Sequence, residues 1–99
     1  MDKAEAIELT KRYKSVISEK FGNAKVYLYG SYSKGTAHKD SDIDVAVIVP
    51  KIEGDWLTLS AYLWHKIDDI SFYIEPVLME DNESSPLYED VMKTGILVS

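Results

Sequence analysis

The period of the apolar positions changes along the chain, and each change predicts an element. Ala6, Leu9, Tyr13, Val16 and Ile17 fall on one stripe at helical spacing with charges elsewhere, which predicts an amphipathic first helix. Asp2 followed by Glu5 supplies a variant of the capping box at its start, and Gly22 with Asn23 supplies an end. Lys25 to Tyr29 is a short β-rich run that Gly30 breaks. Residues 31 to 41 are small and polar and read as a loop with room for one helical turn. Ile43 to Val49 is an apolar strand stopped by Pro50. From Trp56 to Ile70 the spacing predicts a helix whose face of Trp56, Leu59, Leu63, Ile67 and Ile70 turns to the core. Phe72 to Met79 is the third strand, and Glu80 to Ser85 an acidic loop ending in Ser85 as cap and Pro86 at the first helical position. Leu87, Tyr88, Val91 and Met92 give the last helix its stripe, and Gly95 closes it.

The order helix, strand, loop, strand, helix, strand, helix predicts an α/β (α+β) domain of two layers, with helices around a small sheet. No repeat, linker or low-complexity stretch divides the chain, so residues 1–99 are expected to form one domain. With 17 acidic against 11 basic side chains the formal net charge is −6, which argues against a general nucleic-acid-binding face. The absence of cysteine excludes disulfides and thiolate metal sites, and two histidines, His38 and His65, are too few for a histidine-rich metal centre. No apolar run approaches the roughly 20 residues of a membrane span. Met1 to Glu8 alternates charge with alanine and has no signal-peptide hydrophobic region, so a soluble cytoplasmic protein is expected.

Three features bear on chemistry. Gly30-Ser31 stands where a strand ends, a place where glycine admits close approach of a ligand and the following amides with the Ser31 hydroxyl can meet phosphate oxygens. By itself such a pair is most often only a turn. Asp42-Ile43-Asp44 opens a strand, and the strand period of two projects both carboxylates from one face. Like charges so placed repel unless a hard cation lies between them, although an isolated pair is more often a solvated strand end or a turn cap from Asp40 and Ser41. Glu75 interrupts the apolar run Phe72 to Met79; it is either paired or on an edge strand facing water, and Pro76 favours an edge. The short connection between strands one and two brings Gly30-Ser31 and Asp42 to one end of the sheet. The crossover helix then starts strand three beside the start of strand two, which sets Glu75 near Asp42 and Asp44. Three carboxylates, a glycine-serine loop and no histidine base together resemble a two-metal phosphoryl or nucleotidyl transfer site.

Gly30-Ser31, ten further residues and then Asp42-Ile43-Asp44 match the G-S-x10-D-x-D signature of the polymerase-β-like nucleotidyltransferase superfamily. The surrounding stretch GSYSKGTAHKDSDIDVAVIV resembles its minimal nucleotidyltransferase (MNT) branch, and the resemblance covers nearly all of the chain. It implies the nucleotidyltransferase fold with a small mixed sheet. It further implies that Gly30 and Ser31 bind the triphosphate of ATP, that Asp42 and Asp44 hold Mg2+, and that Glu75 joins the second metal or activates the acceptor. The chain departs from the family in carrying Tyr32 and Lys34 where arginines are frequent, and Glu75 where aspartate is usual. Lys34 can still meet a phosphate, as a point charge rather than a fork.

Stand-alone members of this branch are typically encoded beside a helical HEPN-domain partner, usually a ribonuclease toxin. Several resemble antitoxins that move AMP from ATP to a tyrosine of that partner. The resemblance therefore implies an AMP-transferring antitoxin; the alternative is a catalytically silent antitoxin that neutralises its partner by binding alone. Transfer to a small molecule fits less well, because such enzymes usually add a second domain for the acceptor. One feature of the sequence itself supports a protein partner. Leu57 and Trp64 form a second apolar patch off the core stripe of their helix, with Tyr62 on the other flank. His38, His65, Lys66, Lys39-Asp40 and the run Glu80-Asp81-Asn82-Glu83 read most simply as solvated surface.

Overall fold

The computed structural model describes residues 1–98; Ser99, the last residue of the expected single domain, lies outside the described residues. Helix α1 (Lys3–Ile17) begins where the Asp2 carboxylate accepts the Glu5 backbone N–H at 2.8 Å. It buries Ala6, Thr10, Tyr13 and Ile17, leaves Leu9 and Val16 half-buried, and ends at Ser18, short of Gly22. Strand β1 (Lys25–Tyr29) is followed at once by the single-turn helix α2 (Ser31–Lys34) and then by β2 (Ile43–Val49). Helix α3 (Trp56–Lys66) tightens into a 3-10 turn at Ile67–Asp69, so the expected helix 56–70 is present with its last turn overwound. Strand β3 (Ile74–Glu80), helix α4 (Pro86–Thr94) and a short strand β4 (Ile96–Val98) complete the order.

The sheet runs β3-β2-β1-β4 and is mixed: β1 lies antiparallel to β2 and β4, whereas β2 and β3 are parallel. The crossover through α3 makes the last pair parallel, and the short link through α2 makes the first antiparallel. Strand alternation divides the core. Ile43, Val45, Val47 and Val49 face α1 and α3, together with Val26, Leu28 and Ile74. Ala46 and Ile48 face the other way, where Tyr88 and Val91 of α4 cover them with Tyr29 and Met79. The helices thus flank the sheet as expected, with α4 alone on the second face. That helix starts as predicted, the Ser85 hydroxyl accepting the Tyr88 N–H at 3.1 Å and Pro86 in its first turn. Helices α1 and α3 are tied by the buried Tyr13 hydroxyl, which donates to the Leu63 carbonyl at 2.7 Å.

Three expectations change. The expected order stops at the last helix, which Gly95 does close, its N–H donating to the Val91 carbonyl at 2.8 Å; its extended backbone then leads into an added strand, β4, which pairs with β1 over residues 96–98. Trp56 is 47% exposed rather than core-facing: it is the first residue of α3, directly after the Asp55 cap, and its indole N–H reaches the Leu78 carbonyl at 3.5 Å. Phe72, expected in the third strand, sits before it and is 81% exposed, since a turn at Ser71–Tyr73 delays β3 to Ile74. Among the described residues no helix is long and apolar enough to cross a membrane.

Candidate active site

The turn after β1 is built around Gly30. Its φ of 73° and ψ of −144° fall where side chains are strongly disfavoured, and a Cβ there would collide with a carboxylate oxygen of Asp44. The glycine therefore serves two needs: it turns the chain and lets the Asp44 carboxylate rest against the backbone of the turn. From that position Gly30 offers its carbonyl to the Ser33 hydroxyl at 3.0 Å and to the Lys34 N–H at 3.1 Å, which locks α2. Ser31 is half-buried at the start of α2. Tyr32, where the family resemblance would favour arginine, is buried in the core beneath the turn, and its hydroxyl has no partner among the described residues. It anchors the turn from below and cannot meet a phosphate from there.

The carboxylates are set by strand register. Asp44 lies opposite Tyr29 on β1 and opposite Glu75 on β3, so all three project from the α4 face of the sheet. Glu75 is exposed on an edge strand, and Pro76, which lacks an N–H, is tolerated there for that reason. Asp42 is exposed just before β2, two residues from Asp44 and so on the same side of the strand. The half-buried Asp44 carboxyl is pushed up to about 6. Burial is the largest cause, followed by repulsion from Glu75 and Asp42 and a hydrogen bond with Glu75, while the Lys34 ammonium acts in the opposite sense. The Tyr29 phenol is pushed up to about 12, by burial first and then by Asp44, Glu75 and Asp90.

A hard divalent cation suits this donor set. A cation between neighbouring carboxylates relieves their mutual repulsion, and magnesium commonly takes one or two protein carboxylates with substrate phosphates for the rest. Among the described residues no three acids or histidines are drawn together into a ready-made chelate; Asp44 and Glu75 adjoin across the β2–β3 register, and Asp42 is exposed two residues before Asp44. Neither of two cavities in the fold includes these carboxylates. A cavity of about 230 Å3 opens at the opposite end of β2, lined by Phe21, Val49, Ile52 and Leu59 among others. A second of about 170 Å3 lies behind the turn, against Lys3, Tyr32 and Ala37. The carboxylates and Ser31 instead form an open shelf on the sheet end.

Two residues of the shelf escaped the sequence reading. Tyr29 could have been found from the strand period, since it directly precedes Gly30 and faces Asp44. Asp90, whose Oδ2 lies 3.1 Å from Lys34 Nζ, carries no local signal, because the pair is 56 residues apart in the chain. Of the residues expected at the site, Gly30, Ser31, Lys34, Asp42, Asp44 and Glu75 all lie at this one end of the sheet.

A model of the nucleotidyltransferase domain family matches residues 10–95, which takes in the turn, both aspartates and Glu75. The chain belongs to that family. It is a nucleotidyltransferase with a four-stranded mixed sheet. A stretch of 23 residues, 23% of the chain, is 65% identical to the protein adenylyltransferase MntA of Shewanella oneidensis, although it spans only 16% of that protein. Over 75 residues, 76% of the chain and 68% of the relative, it is 28% identical to MJ1379 of Methanocaldococcus jannaschii, described as a candidate protein adenylyltransferase. The fold matches a crystal structure of a toxin-antitoxin with AMP-PNP at a TM-score of 0.65 and 24% identity, covering 88% of this chain and 70% of that one.

Proposed function

We propose that this nucleotidyltransferase transfers AMP from ATP to a hydroxyl, of tyrosine type, on a HEPN-domain toxin, and thereby acts as its cytoplasmic antitoxin. The observation that carries the reading is the Asp44–Glu75 pair, in register across β2 and β3 and seated against the Gly30–Ser31 turn. Asp42 and Asp44 are the residues that would hold Mg2+, with Glu75 as a further ligand or as the base for the acceptor. When bound there, the metal supplies neutralisation of phosphate charge and lowers the pKa of the attacking hydroxyl. The chain's own contribution is orientation. The backbone of the turn and the Ser31 hydroxyl bind the triphosphate, Lys34 meets one of its phosphates, and the rigid β2–β3 pairing fixes the carboxylates relative to that turn.

Four observations support a protein as the acceptor. Two relatives carry protein adenylyltransferase in their names, and the fold recurs in a toxin-antitoxin structure. Helix α3 leaves Leu57 70% and Trp64 47% exposed on one flank, and apolar residues of this kind serve as anchors at protein interfaces. The open shelf also fits an acceptor brought by a partner rather than one enclosed in a pocket of this chain. The test is Asp44→Ala with labelled ATP and the toxin partner. The variant is expected to bind the partner and to transfer no label; undiminished labelling would remove the mechanism. Full protection of cells by the Asp42→Ala, Asp44→Ala double variant would favour neutralisation by binding alone.

A further inference from the structure

The one ion pair recorded among the described residues ties the turn after β1 to the last helix: Lys34 Nζ lies 3.1 Å from Asp90 Oδ2, with the two side chains 43% and 36% exposed. Asp90 is steadied from its own helix, where the Thr94 hydroxyl donates to the Asp90 carbonyl at 2.9 Å and lies 3.5 Å from Oδ1. Both members act on the shelf. Lys34 opposes the rise in the Asp44 pKa, and Asp90 joins Asp44 and Glu75 in raising that of Tyr29. A triphosphate arriving at Gly30–Ser31 therefore meets an ammonium that a carboxylate already occupies. Two anions then compete for one cation.

We propose that Asp90 is a positioning residue that holds Lys34 in reserve, so that the ammonium passes to a phosphate when nucleotide binds and returns to Asp90 when pyrophosphate leaves. The proposal rests on the reading of Gly30–Ser31 as the phosphate turn. Several properties of the pair suit an exchange. It is exposed, so water and salt screen it and it separates readily. Lysine is a point charge on a flexible stem, so changing partners demands no matched geometry, as a forked arginine pair would. A multiply charged phosphate outcompetes a single carboxylate for the ammonium. Asp90 thus lowers nucleotide affinity in two ways, by repelling the phosphates and by engaging their cation, and it gives the departing pyrophosphate a competitor.

The experiment is calorimetric titration of the whole chain with Mg2+ and AMP-PNP, for wild type, Asp90→Asn, Asp90→Glu, Lys34→Met and the Lys34→Met, Asp90→Asn double variant. Asp90→Asn should bind roughly three- to tenfold more tightly, a size set by one unit charge acting near a solvated surface. That gain should shrink to under about twofold in the Lys34→Met background and fade as salt is raised. Asp90→Glu should restore wild-type affinity, and in steady state Asp90→Asn should lower KM for ATP without raising kcat. Unchanged or weaker binding by Asp90→Asn, or an equal gain when Lys34 is absent, would overturn the exchange. A wild-type chain that takes up no Mg2+ and AMP-PNP would instead overturn the phosphate-turn reading beneath it.

Discussion

Asp44→Asn is expected to make the protein more stable and inactive at once. The substitution keeps the side chain's outline against Gly30 and removes its charge, with one acceptor oxygen becoming an NH2 donor. The carboxyl moves from 3.8 in the unfolded chain to about 6 in the fold, by burial and then by repulsion from Glu75 and Asp42. A shift of about two units at about 1.4 kcal/mol each sets a ceiling near 3 kcal/mol, and screening at the open shelf roughly halves it, leaving about 1–2 kcal/mol. Its sign follows from proton binding. Between pH 4 and 6 the folded state holds a proton that the unfolded chain releases, so the group's contribution to stability is complete below about pH 4 and lost as pH rises through about 6. An amide has no such dependence. In urea denaturation with EDTA present, the Asn variant should exceed wild type by about 1–2 kcal/mol at pH 8 and by little below pH 4. At pH 8 its Tm should be higher by roughly 5–12 °C for a domain of this size. A variant no more stable than wild type at pH 8, or one whose advantage persists unchanged in acid, would refute the electrostatic account of the site.

The remaining predictions concern the turn and the partner surface. Gly30→Ala forces a side chain into a positive-φ position and against the Asp44 carboxylate. It should cost about 2–3 kcal/mol in urea midpoints, with part of that recovered when Asp44→Ala is added, because the collision is then gone. Leu57→Asp with Trp64→Ser, both on exposed positions of α3, should leave thermal stability within about 0.5 kcal/mol. The same pair should weaken binding to the proposed toxin partner by about 2 kcal/mol or more in calorimetry, as expected for apolar anchors.

Much of the fold was legible because its signals are local. The cap at Asp2, the Ser85-Pro86 start of α4 and the apolar run of β2 each declare themselves within a few residues. The meeting of Asp44 and Glu75 is a long-range fact, yet it follows from a rule of topology, since a crossover helix returns the chain to the same end of the sheet. What the sequence hid depends on contacts with no periodic trace. Three residues, Ile96–Val98, become a strand only because β1 offers them a free edge. Trp56 has the spacing of a core residue, but it stands at the first position of α3, half exposed, with its indole N–H toward the Leu78 carbonyl of the edge strand β3. Tyr32 stands at a place where the resemblance favours a phosphate-binding side chain, and the packing beneath the turn takes it inward instead. The Lys34–Asp90 pair joins two helices whose approach no pattern in either segment announces.

The central claim is that this chain writes AMP onto a protein. Its most direct test is the intact mass of the purified HEPN-domain protein proposed as partner, after incubation with the chain, Mg2+ and ATP. A gain in whole multiples of the AMP mass, absent when Asp44 is replaced by alanine, is the predicted result. A partner that is neutralised while its mass stays unchanged would contradict it.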